Sequence, residues 1–166
     1  LNADLLGPVA RGERSSEYEE WLNRYDGKLD TSREDFVQHH KERYGGTLPI
    51  WVAVEVLDWG MLTHLYSISP RVAQVKVADA VNLTSPQLES WLKALNIVRN
   101  IAAHHGRMYN RVYGKTPRLP RRETHPEVLF CAGALNRIFG QATLIQYLLR
   151  VLKVGNLKIL PSVFKT

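Results

Sequence analysis

Apolar residues in this chain recur mostly at spacings of three and four, the period of helices packed on one another. The pattern is strongest from Ser85 to Arg111, SPQLESWLKALNIVRNIAAHHGRMYNR, which predicts one long helix. Ser85 suits the N-cap and Pro86 the first helical position, where no N–H partner is needed. Leu88, Trp91, Leu92, Leu95, Val98 and Ala102 form the inward stripe. Asn100 and His104 project to the far side with Ile97 and Ile101, a second apolar face over which another chain or segment is expected to dock. Arg99 falls inside the main stripe, where a cation is costly unless it is paired or snorkels to an edge.

The other elements follow from caps and breakers. Ser16 with Glu19 reads as a capping box opening a short helix from Glu17 to about Tyr25, stopped by Asp26-Gly27. Thr31 with Glu34 repeats the box for a helix to about Tyr44, with Phe36, Val37 and His40 inward and Gly45-Gly46 ending it. Pro49 starts a third helix, Ile50 to Tyr66, on a stripe of Trp51, Val54, Leu57, Met61, Leu62 and Leu65. Its β-branched content also permits a strand, but length and period favour helix. Gly60 within it points to close packing. Ser69-Pro70 opens a fourth helix to about Val81, and residues 82–85 turn into the long helix. Pro117, Pro120 and Pro126 exclude regular helix between Gly114 and Pro126. A last helix from Glu127 to about Lys153, apolar on several sides, reads as the central packing element, followed by an extended tail from Leu157 to Thr166. Residues 1–14 have only a weak helical pattern. The fold class is therefore all-α, a single domain over 1–166 of about six helices with no sheet.

Composition narrows the partners. With 45% hydrophobic and 23% charged residues the chain is an ordinary globular protein. No run approaches the ~20 apolar residues that span a bilayer, so no membrane partner is expected. Cys131 is the only cysteine, which excludes disulfides within the chain and thiolate zinc sites and fits a cytoplasmic setting. A net charge of +6 and a pI near 9.6 favour a polyanionic partner, against the simpler reading of solubility. No Gly-rich phosphate loop, G-x-S-x-G elbow or H-E-x-x-H motif occurs, which argues against an ATPase, a serine hydrolase or a metalloprotease. His104-His105 and His39-His40 are adjacent pairs that splay by about 100° on a helix and cannot chelate one ion, so no metal or other cofactor is expected.

Within the long helix, Arg99-Asn100-Ile101-Ala102-Ala103-His104 resembles the Rx4–6H motif of HEPN-domain proteins (higher eukaryote and prokaryote nucleotide-binding). Together with LPIWVAVEVLDWG (Leu48–Gly60) and RMYNR (Arg107–Arg111), it resembles the Abi-like (AbiD/AbiF type) abortive-infection family over roughly Ser32 to Pro120. Met108-Tyr109 stands where that family carries Leu-Trp. Family members usually carry a helical segment ahead of this region, and the chain begins with Leu1, so a fragment lacking an amino-terminal part is expected. The resemblance implies a HEPN-like helical bundle and a homodimer that acts as a metal-independent endoribonuclease in phage defence or as a toxin. His104 would be the general acid and base, Arg99 would stabilise the phosphorane, and Asn100 would orient phosphate or histidine.

Histidine is the side chain whose unperturbed pKa suits proton transfer near neutrality, and arginine's fork of donors suits a phosphoryl group. Glu55 is the best internal partner for Arg99, unless it faces solvent, and His105 is a supporting residue beside His104. Arg107, Arg111, Lys115, Arg118, Arg121 and Arg122, with Tyr109 and Tyr113 interleaved, read as a single-stranded RNA track. Asn110 lies close enough to the motif to reach the same phosphate. Expected partners are an RNA substrate, a second copy of the chain and an antitoxin RNA or protein. Two rivals stand beside the nuclease: a domain that holds RNA without cutting it, and a protein-docking module built on the second apolar face. In the bland reading of the motif, Arg99 pairs with an acid on the third helix and His104 merely caps a bundle.

Overall fold

The computed structural model describes residues 13–46, 48–121 and 125–155, and among these every regular element is helical, with no strand. The predicted all-α class is therefore the one observed. The elements are α1 (Glu13–Thr31), α2 (Asp35–Tyr44), α3 (Ile50–Val56), α4 (Trp59–Ile68), α5 (Arg71–Asp79), α6 (Ser85–Ala103), α7 (Pro126–Leu129) and α8 (Ile138–Leu152), with a 3-10 turn at Ala132–Ala134. No helix among the described residues is long and apolar enough to cross a membrane. They group into two compact units, divided between Arg71 and Val72. The tail from Leu157 to Thr166, Arg122 and most of residues 1–14 lie outside the described residues.

In the amino-terminal unit, α1 buries Tyr18, Trp21, Tyr25 and Leu29 at helical spacing. Trp21 stacks on Tyr25, ring centroids 5.5 Å apart, and its indole N–H donates to the Met61 carbonyl of α4 at 3.0 Å. Val37, Ala53, Leu57, Met61 and Ile68 complete this core. The predicted stop at Asp26-Gly27 does not occur, because the stripe continues to Leu29 and burial offsets the ~1 kcal/mol that a helical glycine costs. The Ser16–Glu19 box is likewise interior to α1, which starts at Glu13. The Thr31–Glu34 box fails for a local reason. Thr31 bonds back to the Gly27 carbonyl at 2.8 Å, while the Ser32 hydroxyl accepts the Glu34 N–H at 3.3 Å. Gly45, at φ 64°, ends α2 as expected.

The predicted third helix is two helices. After Val56 the chain goes extended at Leu57, and Asp58 becomes the N-cap of α4, accepting the Met61 N–H at 2.9 Å. A short acid amid an apolar pattern competes for backbone donors in this way. Lys28 of α1 holds the same carboxylate at 2.9 Å. Gly60 therefore sits in the first turn of α4 instead of mid-helix. The stripe predicted through the break is only partly buried: Leu57 and Met61 are inside, whereas Trp51 is 72% exposed and Leu62 lies outside.

In the carboxyl-terminal unit, α6 packs against α8. Trp91, fully buried, meets Tyr147 edge to face at 5.4 Å, and the Tyr147 hydroxyl donates to the Val81 carbonyl at 3.0 Å. The cap of α6 is Thr84, one residue earlier than expected; its N–H donates to Gln87 Oε1 at 2.8 Å. The predicted helix from Glu127 to Lys153 breaks between Leu129 and Ile138. Gly140, in the first turn of α8, is where the segment of the break passes closest: an added Cβ would lie 2.3 Å from the Ala134 carbonyl oxygen and 2.6 Å from Leu135 Cα. Only a residue without a Cβ fits there.

Two stability tests follow. Gly140→Ala is expected to lower unfolding stability by about 1–3 kcal/mol, measured by urea titration, because backbone must move to admit one methyl. Asp58→Ala should cost about 1 kcal/mol through loss of the α4 cap. The amides of α4, Met61 first, and Lys28 hold the Asp58 carboxyl below its ordinary pKa, with burial opposing them. A lowered folded-state pKa stabilises the fold above the ordinary carboxylate range, and that contribution disappears as pH falls through the lowered value. The difference between wild type and Asp58→Ala should therefore be full at pH 7 and close in acid.

Candidate nucleic-acid interface at the end of α6

Burial along α6 runs through Leu88, Trp91, Ala94, Leu95 and Val98 and then gives out. Ile97 and Ile101 are half-buried, and Arg99, Asn100, Ala102, Ala103, His104 and His105 are exposed. Arg99 is thus not in the buried stripe, as the helical wheel had placed it. It is exposed near the end of α6, and its guanidinium donates to the Asn100 side-chain oxygen at 3.0 Å. That bond fixes one edge of the fork and leaves other N–H donors for a ligand. Glu55, the expected partner of Arg99, is exposed on α3 in the amino-terminal unit.

The helix stops at Ala103 instead of continuing to Arg111. His104 is the C-cap, its N–H donating to the Asn100 carbonyl at 3.1 Å. His105 turns left-handed at φ 53° and donates to the Ala102 carbonyl at 3.1 Å, and Gly106 donates to the Ile101 carbonyl at 2.7 Å. This pair of bonds satisfies the last carbonyls of the helix. Glycine usually holds the left-handed position of such a turn; a side chain there costs about 1–2 kcal/mol. In this chain the glycine stands one residue later, where an added Cβ would lie 2.9 Å from Ile101 Cγ2 and 3.0 Å from the Ile101 carbonyl oxygen. The strain falls on the residue next to His104, which is exposed as the C-cap of the helix.

The following segment runs back along α6. The Trp91 indole N–H donates to the Arg118 carbonyl at 2.8 Å, and the Arg118 N–H donates to the Ser90 hydroxyl at 2.8 Å. The Tyr113 N–H donates to the Asn136 carbonyl at 2.9 Å, and Pro117 and Pro120 are buried. From the level of Trp91 to His104 the helix rises ~20 Å, so the segment is laid out over about that length. Arg107, Asn110, Arg111, Lys115, Arg118 and Arg121 are exposed along it. No aspartate or glutamate occurs between Arg99 and Arg122. Of the two interleaved rings, Tyr109 is 75% exposed and open to stacking. Tyr113 is not, at 2% exposed: its hydroxyl donates to the Met108 carbonyl at 3.3 Å, and burial pushes its phenol pKa up against the opposing charge of Arg111.

The residues that anchor this segment are Ser90, which the sequence did not single out, and Trp91, which it placed only in the apolar stripe. A signal was available in Trp91: an indole inside an apolar stripe still needs an acceptor for its N–H. Asn110, at φ 52°, makes a second left-handed turn in the segment.

The turn after α6 is directly testable. Gly106→Ala should destabilise the chain by about 1–3 kcal/mol in urea unfolding, since a methyl there presses on the Ile101 carbonyl. His105→Gly should melt no lower than wild type, because it relieves the left-handed strain.

No curated protein and no solved structure matches the chain. The model of a protein family does, described as Abi-like protein, over residues 2–110, well over half of the chain. The match takes in both the Leu48–Gly60 run and the Arg99–His104 turn, and it supports a role in abortive infection. With an all-α fold and that match across most of its helices, the chain belongs to the Abi-like protein family.

Proposed function

We propose that this protein is a metal-independent endoribonuclease of the HEPN type, acting in anti-phage abortive infection or as a toxin. The observation that carries the reading is the exposed trio of Arg99, Asn100 and His104 at one helix end, opening onto an acid-free run of cations. RNA cleavage through its own 2′-hydroxyl needs a base for that proton, an acid for the leaving 5′-oxygen and a cation for the phosphorane. His104 serves the proton transfers. Arg99, steadied by Asn100, presents N–H donors to the phosphoryl oxygens. A single imidazole cannot stand on both sides of an in-line displacement, so two copies of the chain would supply the pair of histidines across a dimer interface. Tyr109 and the cations from Arg107 to Arg121 would track the single strand, with Arg122 next in sequence.

The second reading is a module that holds RNA, such as an inhibitory antitoxin RNA, without cutting it. The pinning of the basic segment by Trp91 and Ser90 favours it, since that part of the surface is built independently of His104.

One experiment separates the two. Wild type, Arg99→Ala and His104→Ala are incubated with mixed-sequence single-stranded RNA in EDTA, with mass determined in solution. The nuclease reading expects 2′,3′-cyclic phosphate and 5′-hydroxyl ends from a dimeric wild type. Each variant should lose at least about a hundredfold in rate. Absence of cleavage by a folded dimer overturns it. RNA affinity that falls steeply with salt, weakens in Arg118→Ala and Arg121→Ala and ignores His104→Ala selects the module instead.

A further inference from the structure

The amino-terminal unit holds a cavity of about 430 Å³ between α1 and α4, lined by Arg24, Gly27, Lys28, Asp58, Gly60, Met61 and His64. None of these residues belongs to the Arg99–His104 motif or to the basic segment. Arg24 and Lys28 stand one turn apart on α1, so their Cβ atoms are about 6 Å apart and both heads can reach one tetrahedral anion. Arg24 is engaged by Glu20 through one terminal nitrogen only, and Lys28 spends one donor on Asp58. Asp58 faces the cavity but is already committed to the α4 amides and to Lys28. The imidazole of His64 has no hydrogen bond to the protein among the described residues, and it offers an N–H in either neutral tautomer. Each of the two cations is thus paired with one carboxylate, Arg24 with Glu20 and Lys28 with Asp58, and each keeps further N–H donors, beside the apolar Met61 in the lining.

Gly27 is the second observation. It lies inside α1, where glycine weakens a helix, yet nothing lies within 4 Å of the Cβ that another residue would add. Packing therefore does not require the glycine. Gly27 is among the residues that line the cavity, so a bulky side chain at this position can be added beside it without a clash in the fold.

We propose that this cavity binds a phosphate monoester of mononucleotide size. The phosphate is held by Arg24, Lys28 and His64, and the organic body lies over Met61. A doubly charged phosphate uses both cations and the imidazole N–H, and 430 Å³ falls in the range of small-ligand sites. The same phosphate chemistry is presented by a free nucleotide or by the 5′-phosphate end of an RNA. The assignment is independent of the nuclease reading, since the site shares no residue with it.

The test is calorimetric titration of the whole chain with adenosine 5′-monophosphate, adenosine and a 5′-phosphorylated or 5′-hydroxyl oligoribonucleotide. Arg99→Ala and His104→Ala serve as controls that leave the cavity intact. The monophosphate is expected to bind and adenosine to bind at least about tenfold more weakly. Arg24→Gln and Gly27→Leu are each expected to weaken binding at least about tenfold. Gly27→Leu should melt no lower than wild type, which separates a filled cavity from a damaged fold. A preference for the 5′-phosphorylated oligonucleotide, with no binding of the free nucleotide, also supports the site and names RNA ends as its source. Equal binding of adenosine and its monophosphate, affinity unchanged in both variants, or no binding of any phosphate overturns it.

Discussion

The carboxyl-terminal unit turns on one buried indole. Trp91 is fully buried against Tyr147 of α8, and its N–H is satisfied only by the Arg118 carbonyl, two dozen or so residues further along the chain. A tryptophan in an apolar stripe demands that its single donor find an acceptor. Here the acceptor comes from a proline-rich segment that has no helix of its own in which to spend its carbonyls. The indole therefore does two things at once: its ring packs in the α6–α8 contact, and its N–H ties the basic segment to α6. The backbone of that segment is consequently pinned at Arg118, with exposed cations on either side of the anchor.

The end of α6 depends on a different balance. A helix that continued to Arg111 would keep Asn100 and His104 one turn apart on one face. The chain instead closes the helix with His105 in a left-handed conformation, a position that glycine normally fills. Gly106 is needed one step later, where the chain passes almost in contact with the Ile101 carbonyl. A histidine thus stands at the strained position and the glycine at the crowded one, next to His104, which is exposed as the C-cap of the helix. Strain retained beside a group of polar, exposed side chains is characteristic of sites where position matters more than stability. The amino-terminal unit shows a related economy at Asp58, which ends one helix pattern, caps the next helix and holds Lys28 of α1.

Much of this was legible in the residues. The three- and four-residue spacing of Leu88, Trp91, Leu95 and Val98 predicts the buried face of α6 correctly, and Gly45-Gly46 and the prolines after Gly114 mark boundaries by backbone chemistry alone. The candidate trio falls within six consecutive residues, so its members had to lie within one or two turns of each other along the chain. The errors fall where apolar periodicity runs across a local breaker. At Leu57-Asp58 the pattern continues while the acid caps a new helix. Between Leu129 and Ile138 it continues while the backbone leaves the helix through a 3-10 turn and passes close against Gly140. Periodicity reports which side chains want burial, and it is blind to whether the backbone between them stays helical.

What the sequence determined by itself is therefore the helical class, most of the buried stripe of α6, the nearness of Arg99, Asn100 and His104 along the chain, and the acid-free basic run after them. All are properties of spacing and side-chain type. Tertiary structure decided that Arg99 is exposed, that Tyr109 is open to stacking while Tyr113 is buried, and that the basic segment returns along α6. It also decided that α1 runs through Asp26-Gly27, and that Arg24, Lys28 and His64 line one cavity. Each of these depends on what one helix finds opposite it, on a carbonyl within reach of an indole or on room for a Cβ. Such contacts join residues distant in sequence, and no local pattern encodes them.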